Sequence, residues 1–149
     1  MSDHSMQHAE AQPDQSQALK GRKVFVVDAH SLIHQLFHAI GELTSPDGRP
    51  VNAVFGFVRD MLQLLKVYNP DYLICAFDAK EPSFRKDIYA AYKAHRPELD
   101  VDLVPQIGLI EEFLHSLGIP VVRQPGFEAD DIMATIAAEV EKQGGECVL

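Results

Sequence analysis

Cysteine is scarce: Cys75 and Cys147 are the two in 149 residues, and no C-x-x-C spacing joins them. Neither a disulfide framework nor a zinc-thiolate site is therefore expected, and the pair reads as buried thiols of a reducing compartment. Apolar runs are too short and too interrupted to span a bilayer. The first residues hold no apolar stretch of the signal-peptide kind, so a cytoplasmic location with no membrane partner is expected. No G-x-G-x-x-G occurs, which leaves a dinucleotide-binding fold without support. Basic charge is short as well: 13 Lys and Arg stand against 22 Asp and Glu, for a net charge of −9. As a total, that balance argues against a nucleic-acid partner.

The charge that is present is unevenly placed. From Lys80 to Arg96 there are five basic residues (Lys80, Arg85, Lys86, Lys93, Arg96) against Glu81 and Asp87, a local +3 that leaves −12 elsewhere. The length suits one domain, and 46% hydrophobic with 23% charged residues suits a soluble globular one. Residues 1–20, polar and without apolar periodicity, read as a disordered tail ahead of a domain over 21–149. From there "KVFVVD" predicts a buried strand ending at Asp28, and "SLIHQLFHAIGEL" a helix. After the turn "TSPDGRP", "VNAVFGFVRDMLQLLKVY" predicts a long helix stopped at Asn69-Pro70. A second strand, "DYLICAFD", is expected to end at Asp78, and the basic segment after it to be partly helical as far as Pro97. A helix over "DLVPQIGLIEEFLHSLG", a strand "IPVVRQ", a helix from Glu128 to about Gln143 and a strand within "GGECVL" complete the chain. Alternating strands and helices imply an α/β fold with a parallel-type sheet covered on both faces.

Ligands of such sheets bind beyond the carboxyl ends of the strands. Asp28 and Asp78 close the first two strands, and "EADD" (Glu128, Asp130, Asp131) follows the third by a few residues. Singly, Asp28 or Asp78 could be a turn residue, and Glu128 or Asp130 a helix cap. Five acids on one edge, however, repel unless protons or cations compensate them. Hard ions such as Mg²⁺ or Mn²⁺ fit a set without His or Cys, and such sites serve phosphoryl chemistry. The basic segment has a matching logic. If residues 84–96 are helical, Arg85, Tyr89, Tyr92 and Arg96 form one stripe, with Lys86 and Lys93 beside it, able to neutralise phosphates and stack on bases. A solvated charged helix with its tyrosines in the core is the plainer alternative.

"VFVVDAHSLIHQLFHAI", "DGRPVNAVFGFVRDML", "FDAKEPSFRKDIYAAYKAHRP" and "GFEADDIMATIA" together resemble the 5′-nuclease domain of bacterial DNA polymerase I, kin to flap endonucleases. The resemblance runs from about Lys23 to the C-terminus. It implies a PIN-like fold and metal-dependent hydrolysis of DNA phosphodiesters at a 5′ end or flap, by a monomer associated with the nucleoid. It puts Asp28, Asp78, Glu128, Asp130 and Asp131 among the metal ligands. Arg85, Tyr92, Lys93 and Arg96 fall in a helical arch that handles DNA, with Lys93 and Arg96 steadying the charge on the transferring phosphate. It matches Gly48 and Gly56 to a segment that packs against duplex, and His38 to a core or supporting histidine. Two departures stand out. His34-Gln35 replaces the family's usual Tyr-Arg, removing one phosphate contact. The family also continues past "ECVL" into further metal-binding aspartates and a duplex-binding module. The chain is therefore expected to be the N-terminal part of a longer protein, weakly active or inactive alone. The competing expectation is a non-catalytic, nucleic-acid-binding relic of the same fold.

Overall fold

Residues 24–28 alternate in the way a strand covered on both faces requires. Phe25 packs with the larger apolar cluster, while Val24 and Val26 pack with a second one on the opposite side. The computed structural model describes residues 18–92 and 99–149. The strands β1 (Lys23–Asp28), β2 (Tyr72–Ala76), β3 (Val121–Val122) and β4 (Glu146–Val148) form one sheet in the order β3-β2-β1-β4. Every pairing is parallel, with Asp28 opposite Ala76, Ala76 opposite Val122 and Lys23 opposite Glu146. All four carboxyl ends therefore share one edge.

Helices α1 (Ala29–Ala39), α2 (Asn52–Tyr68) and α4 (Val104–Ser116) cover the face that carries Phe25, Leu73, Cys75 and Phe77. Helix α5 (Ala129–Lys142) covers the other, setting Ile132, Met133, Ile136 and Val140 against Val24, Val26, Ile74 and Ala76. Helix ends follow the local chemistry. Asn69 stops α2 in the left-handed conformation ahead of Pro70, and Gly118, at φ 68°, follows the last turn of α4. Among the described residues, no helix is long and apolar enough to cross a membrane.

One polar cluster lies within the apolar layer. The N-cap of α2 is Val51, which has no side-chain acceptor for the first amides of the helix. Gln106 of α4 supplies it: Oε1 accepts from Ala53 N (2.8 Å) and Val54 N (3.3 Å). Its Nε2 donates to Asn52 Oδ1 (3.0 Å) and to the Asp102 carbonyl (2.9 Å). Asn52 Nδ2 in turn donates to the carbonyls of Phe37 and Ile40 at the end of α1. Three helices are thus tied at one point, where Gln106 is fully buried.

Several expectations need correction. The tail, expected over residues 1–20, gives way by residue 18 to a turn in which Leu19 N donates to the Gln143 carbonyl and its side chain packs beside Val140. Residues 1–17 lie outside the described residues. Strand β2 ends at Ala76, so Asp78 stands two residues beyond it. The basic segment is partly helical as expected, its helix among the described residues being the short α3 (Arg85–Ile88), which ends where Tyr89 turns extended at φ −140°, ψ 100°. Ile88 and Tyr89 are 79% and 64% exposed, so no core contact sustains a longer helix there. The stripe of Arg85, Tyr89 and Tyr92 on one helix face is accordingly not formed. Gly56 is buried, and a Cβ there would lie 2.5 Å from Ile40 Cδ1 and 3.0 Å from Leu36 Cδ2. Its role is the close approach of α2 to α1. Gly48 sits in the 45–48 turn with φ 82°, a conformation that favours glycine. Cys75 is buried as expected, Cys147 only partly.

Candidate active site

The first acid is shaped by its own helix. Asp28 leaves β1 and caps α1, its Oδ1 accepting from Ser31 N (2.8 Å) and its Oδ2 from Ser31 Oγ (2.7 Å). The Asp-x-x-Ser spacing is a capping signal visible in the sequence, and it fixes the rotamer of a carboxylate at the sheet edge. Asp78 reaches across to another element: its Oδ1 accepts from Ala129 N (2.9 Å), in the first turn of α5. Its Oδ2 lies 3.9 Å from His30 Nε2, on the first turn of α1. Asp78 therefore joins the starts of the two helices that follow β1 and β3. His30, whose ring lies tilted against that of His34 with centroids 4.8 Å apart, was not expected beside the acids. Its position, two residues after Asp28, was the available signal.

At α5, Glu128 is the N-cap and Asp131 the third helical residue. Asp131 Oδ2 accepts from Glu128 N (3.0 Å), so one of the crowded acids serves the helix end. The helix N-terminus also favours the negative charge of both. Their further compensation comes from the basic segment. Arg85 forms a two-pronged contact with Asp131, Nη1 to Oδ2 at 2.7 Å and Nη2 to Oδ1 at 2.6 Å, and its Nη1 lies 3.5 Å from Glu128 Oε2. Tyr92 Oη donates to Glu128 Oε2 (3.1 Å). The hydrogen bonds that Arg85 donates to Asp131, with the charges of Asp131 and Glu128, hold the guanidinium pKa above its usual value. Arg85 also lies 4.8 Å over the Phe84 ring, which meets Phe127 at 5.6 Å. Phe84 N donates to the Gly126 carbonyl (2.8 Å), so aromatic and backbone contacts dock the segment on the loop before α5.

Asp78, Glu128 and Asp131 thus meet at one corner, through Ala129 N and Arg85. Asp28 stands on the same sheet edge, one strand away. Asp130 occupies the next helical position outward and is exposed. Among the described residues, no three His, Cys, Asp or Glu side chains are grouped to hold a metal ion. Among the described residues, Arg85 brings positive charge to Glu128 and Asp131. The carboxylate oxygens of Asp78, Glu128 and Asp131 are donors of the kind a hard divalent ion takes. Lys93 and Arg96 lie outside the described residues. Arg85 and Tyr92, which the resemblance assigns to DNA handling, contact the acids here.

Residues 23–149 match the family described as the 5′-3′ exonuclease, N-terminal resolvase-like domain. The chain is 45% identical over 127 residues to the thermostable DNA polymerase I of Thermus aquaticus, covering 85% of this chain and 15% of that protein. It is 37% identical over 123 residues to the 5′-3′ exonuclease of Aquifex aeolicus, covering 83% and 43% respectively. It therefore spans less than half the length of each of these relatives. Its fold is similar to that of T5 5′-exonuclease with bound zinc, at TM-score 0.57 and 21% identity over 80% of this chain and 45% of that one. A T5 flap endonuclease in a pseudo-enzyme-product complex with DNA and metal ions gives TM-score 0.54 at 21% identity, with the same coverage. The acids at the carboxyl edge of this parallel sheet and the segment docked on them are therefore features of a chain that belongs to the 5′-3′ exonuclease N-terminal, resolvase-like family.

Proposed function

We propose that this chain is the ion-holding and phosphate-facing part of a divalent-metal-dependent 5′-3′ exonuclease or flap endonuclease that acts on DNA in replication and repair. The observation that carries the reading is the Asp78–Ala129 contact. It draws residues 51 positions apart into one acidic corner at the edge where such sheets bind ligands. Asp28, Asp78, Glu128, Asp130 and Asp131 would hold Mg²⁺ or Mn²⁺, which when bound supplies activation of water and stabilisation of the leaving oxygen. Ser31 keeps the Asp28 carboxylate oriented, and Ala129 N does the same for Asp78. Arg85 and Tyr92 bring a cation and a hydroxyl to the corner where the scissile phosphate would lie. Lys93 and Arg96 follow directly in sequence and would stabilise charge on that phosphate. The protein would act as a nucleoid-associated cytoplasmic monomer on DNA with a 5′ end or flap.

A second reading, a non-catalytic DNA-binding relic, draws support from Arg85, which already compensates Glu128 and Asp131 without an ion. Calorimetric titration with Mn²⁺ separates the two. The test pair is wild type and an Asp28→Asn/Asp78→Asn variant, whose amide oxygens can still cap α1 and α5. Saturable heat in wild type, lost in the variant, is the expected result. Equal heats from both would end the metal reading.

A further inference from the structure

We propose that the exposed faces of Phe84 and Phe127 form a stacking platform for one base of the DNA strand whose phosphate lies at the acidic corner. The inference rests on the DNA reading above and needs no bound ion. Neither ring is among the buried and half-buried side chains that hold the helices on the sheet. Phe84 is 38% and Phe127 44% exposed, although their centroids are 5.6 Å apart and the rings tilt at 51° to each other. Contact between the two rings therefore docks the start of the basic segment on the loop before α5 and still leaves aromatic surface in water. That surface adjoins the corner. The Arg85 guanidinium carbon lies 4.8 Å from the Phe84 ring centroid while the guanidinium nitrogens bond Asp131. One guanidinium thus separates the ring from the acids.

Backbone contacts set the platform before any ligand arrives. Phe84 N donates to the Gly126 carbonyl (2.8 Å) and Phe127 N to the Gln124 carbonyl (3.0 Å), around a turn in which Gly126 has φ 82°. Rings already fixed lose little freedom when a ligand stacks on them, which favours affinity. A nucleobase is the ligand whose chemistry matches. Every base has a π face, and the strand that carries it brings phosphates, for which Lys86, exposed two residues after Phe84, supplies a cation. Stacking does not read base identity. The platform therefore orients the strand at the corner without selecting its sequence, and Phe84 and Phe127 are positioning residues.

The test uses DNA with a single-stranded 5′ flap, labelled at the far end of its duplex and followed by fluorescence anisotropy at low salt in EDTA. An abasic site is placed in turn at each nucleotide of the flap and of the adjoining duplex. Wild type, Phe127→Leu and Phe127→Tyr are compared, with unfolding curves to show that each is folded. Leucine keeps an apolar contact for Phe84 but has no π face, whereas tyrosine keeps both. At one position the abasic site should weaken binding by wild type and by Phe127→Tyr at least about fivefold, the lower end of what stacking one base contributes. The same site should weaken Phe127→Leu by less than about twofold, because that form has already lost the stack. A phenylalanine that only docks the segment would weaken intact and abasic DNA alike. Such additive losses would overturn the platform while the DNA reading stands. Wild-type binding that is indifferent to the abasic site at every position would do the same, whatever the variants show. If no form binds the intact DNA, the DNA reading falls and the platform with it.

Discussion

Gln106→Leu removes a side chain that is fully buried yet makes four hydrogen bonds. Leucine has nearly the same size, so little cavity opens, and the loss is almost wholly polar. The Ala53 amide, Asn52 Oδ1 and the Asp102 carbonyl lose their partner within the layer between α2 and α4. Each unsatisfied buried group costs about 1–3 kcal/mol, giving a gross loss of about 3–9 kcal/mol for the three. The greater apolar burial of leucine returns about 1.5–2 kcal/mol. A net destabilisation of about 1–7 kcal/mol follows, a substantial part of the 5–15 kcal/mol typical of a domain. Urea unfolding followed by circular dichroism measures it, with an unchanged slope and a lower midpoint expected. Asn52→Ala, alone and combined with Gln106→Leu, completes a cycle. Because the two amides bond each other, the double variant should be less destabilised than the sum by about 0.5–3 kcal/mol. A loss under about 1 kcal/mol with additive effects would refute the closed network, since it would mean that water already satisfies these groups.

Gly56→Ala tests the contact between α1 and α2. Alanine favours the helix by about 1 kcal/mol, but its methyl would lie 2.5 Å from Ile40 Cδ1. Overpacking costs about 1–3 kcal/mol, so a small net loss of thermal stability is expected, and a gain would show that Ile40 gives way freely. The thiols should differ in reactivity. Burial pushes Cys75 up to about 12, whereas Cys147 is partly exposed and raised by its own burial and by Glu141. Iodoacetamide at pH 8, followed by peptide mass spectrometry, should modify Cys147 first and Cys75 only on unfolding. The Cys75 thiol also sets an alkaline limit. Its folded value lies above the 9.0 of a free thiol, so its contribution is complete below pH 9 and is lost as pH rises towards about 12. Urea midpoints from pH 8 to 11 should fall less steeply in Cys75→Ala than in wild type; parallel curves would exclude this role.

The parts of the fold set by local periodicity were legible in the sequence. The β-branched apolar run of β1 and the helically spaced runs of α2 and α5 stand where the pattern put them, with boundaries shifted by a residue or two. The acidic edge was legible because a parallel sheet brings all its strand ends together. What escaped was whatever depended on a distant partner. Arg85 lies 46 positions from Asp131 and Tyr92 lies 36 from Glu128, so their pairing with the acids left no local trace. The basic segment has helix-forming residues, but a helix there would have no apolar surface to bury against. Gln106 did leave a trace: it interrupts an apolar row of Leu103, Ile110 and Leu114 at helical spacing, the mark of a buried polar group with a fixed task. His30 was passed over because the acids alone made a consistent set.

The order β3-β2-β1-β4 places β1 beside β4, the latest of the described strands to be synthesised. Lys23 pairs with Glu146, whereas Val24 already finds Tyr72 on its other side. During translation, at roughly 5–20 residues per second, the stretch from Ala76 to Glu146 takes on the order of 4–14 s to appear. For that interval one margin of Val24 and Phe25 has unpaired backbone amides and carbonyls beside apolar side chains, a template for any neighbouring nascent chain. The ribosome-bound intermediate is thus the stage most exposed to misassociation, and the three residues of β4 are what ends it.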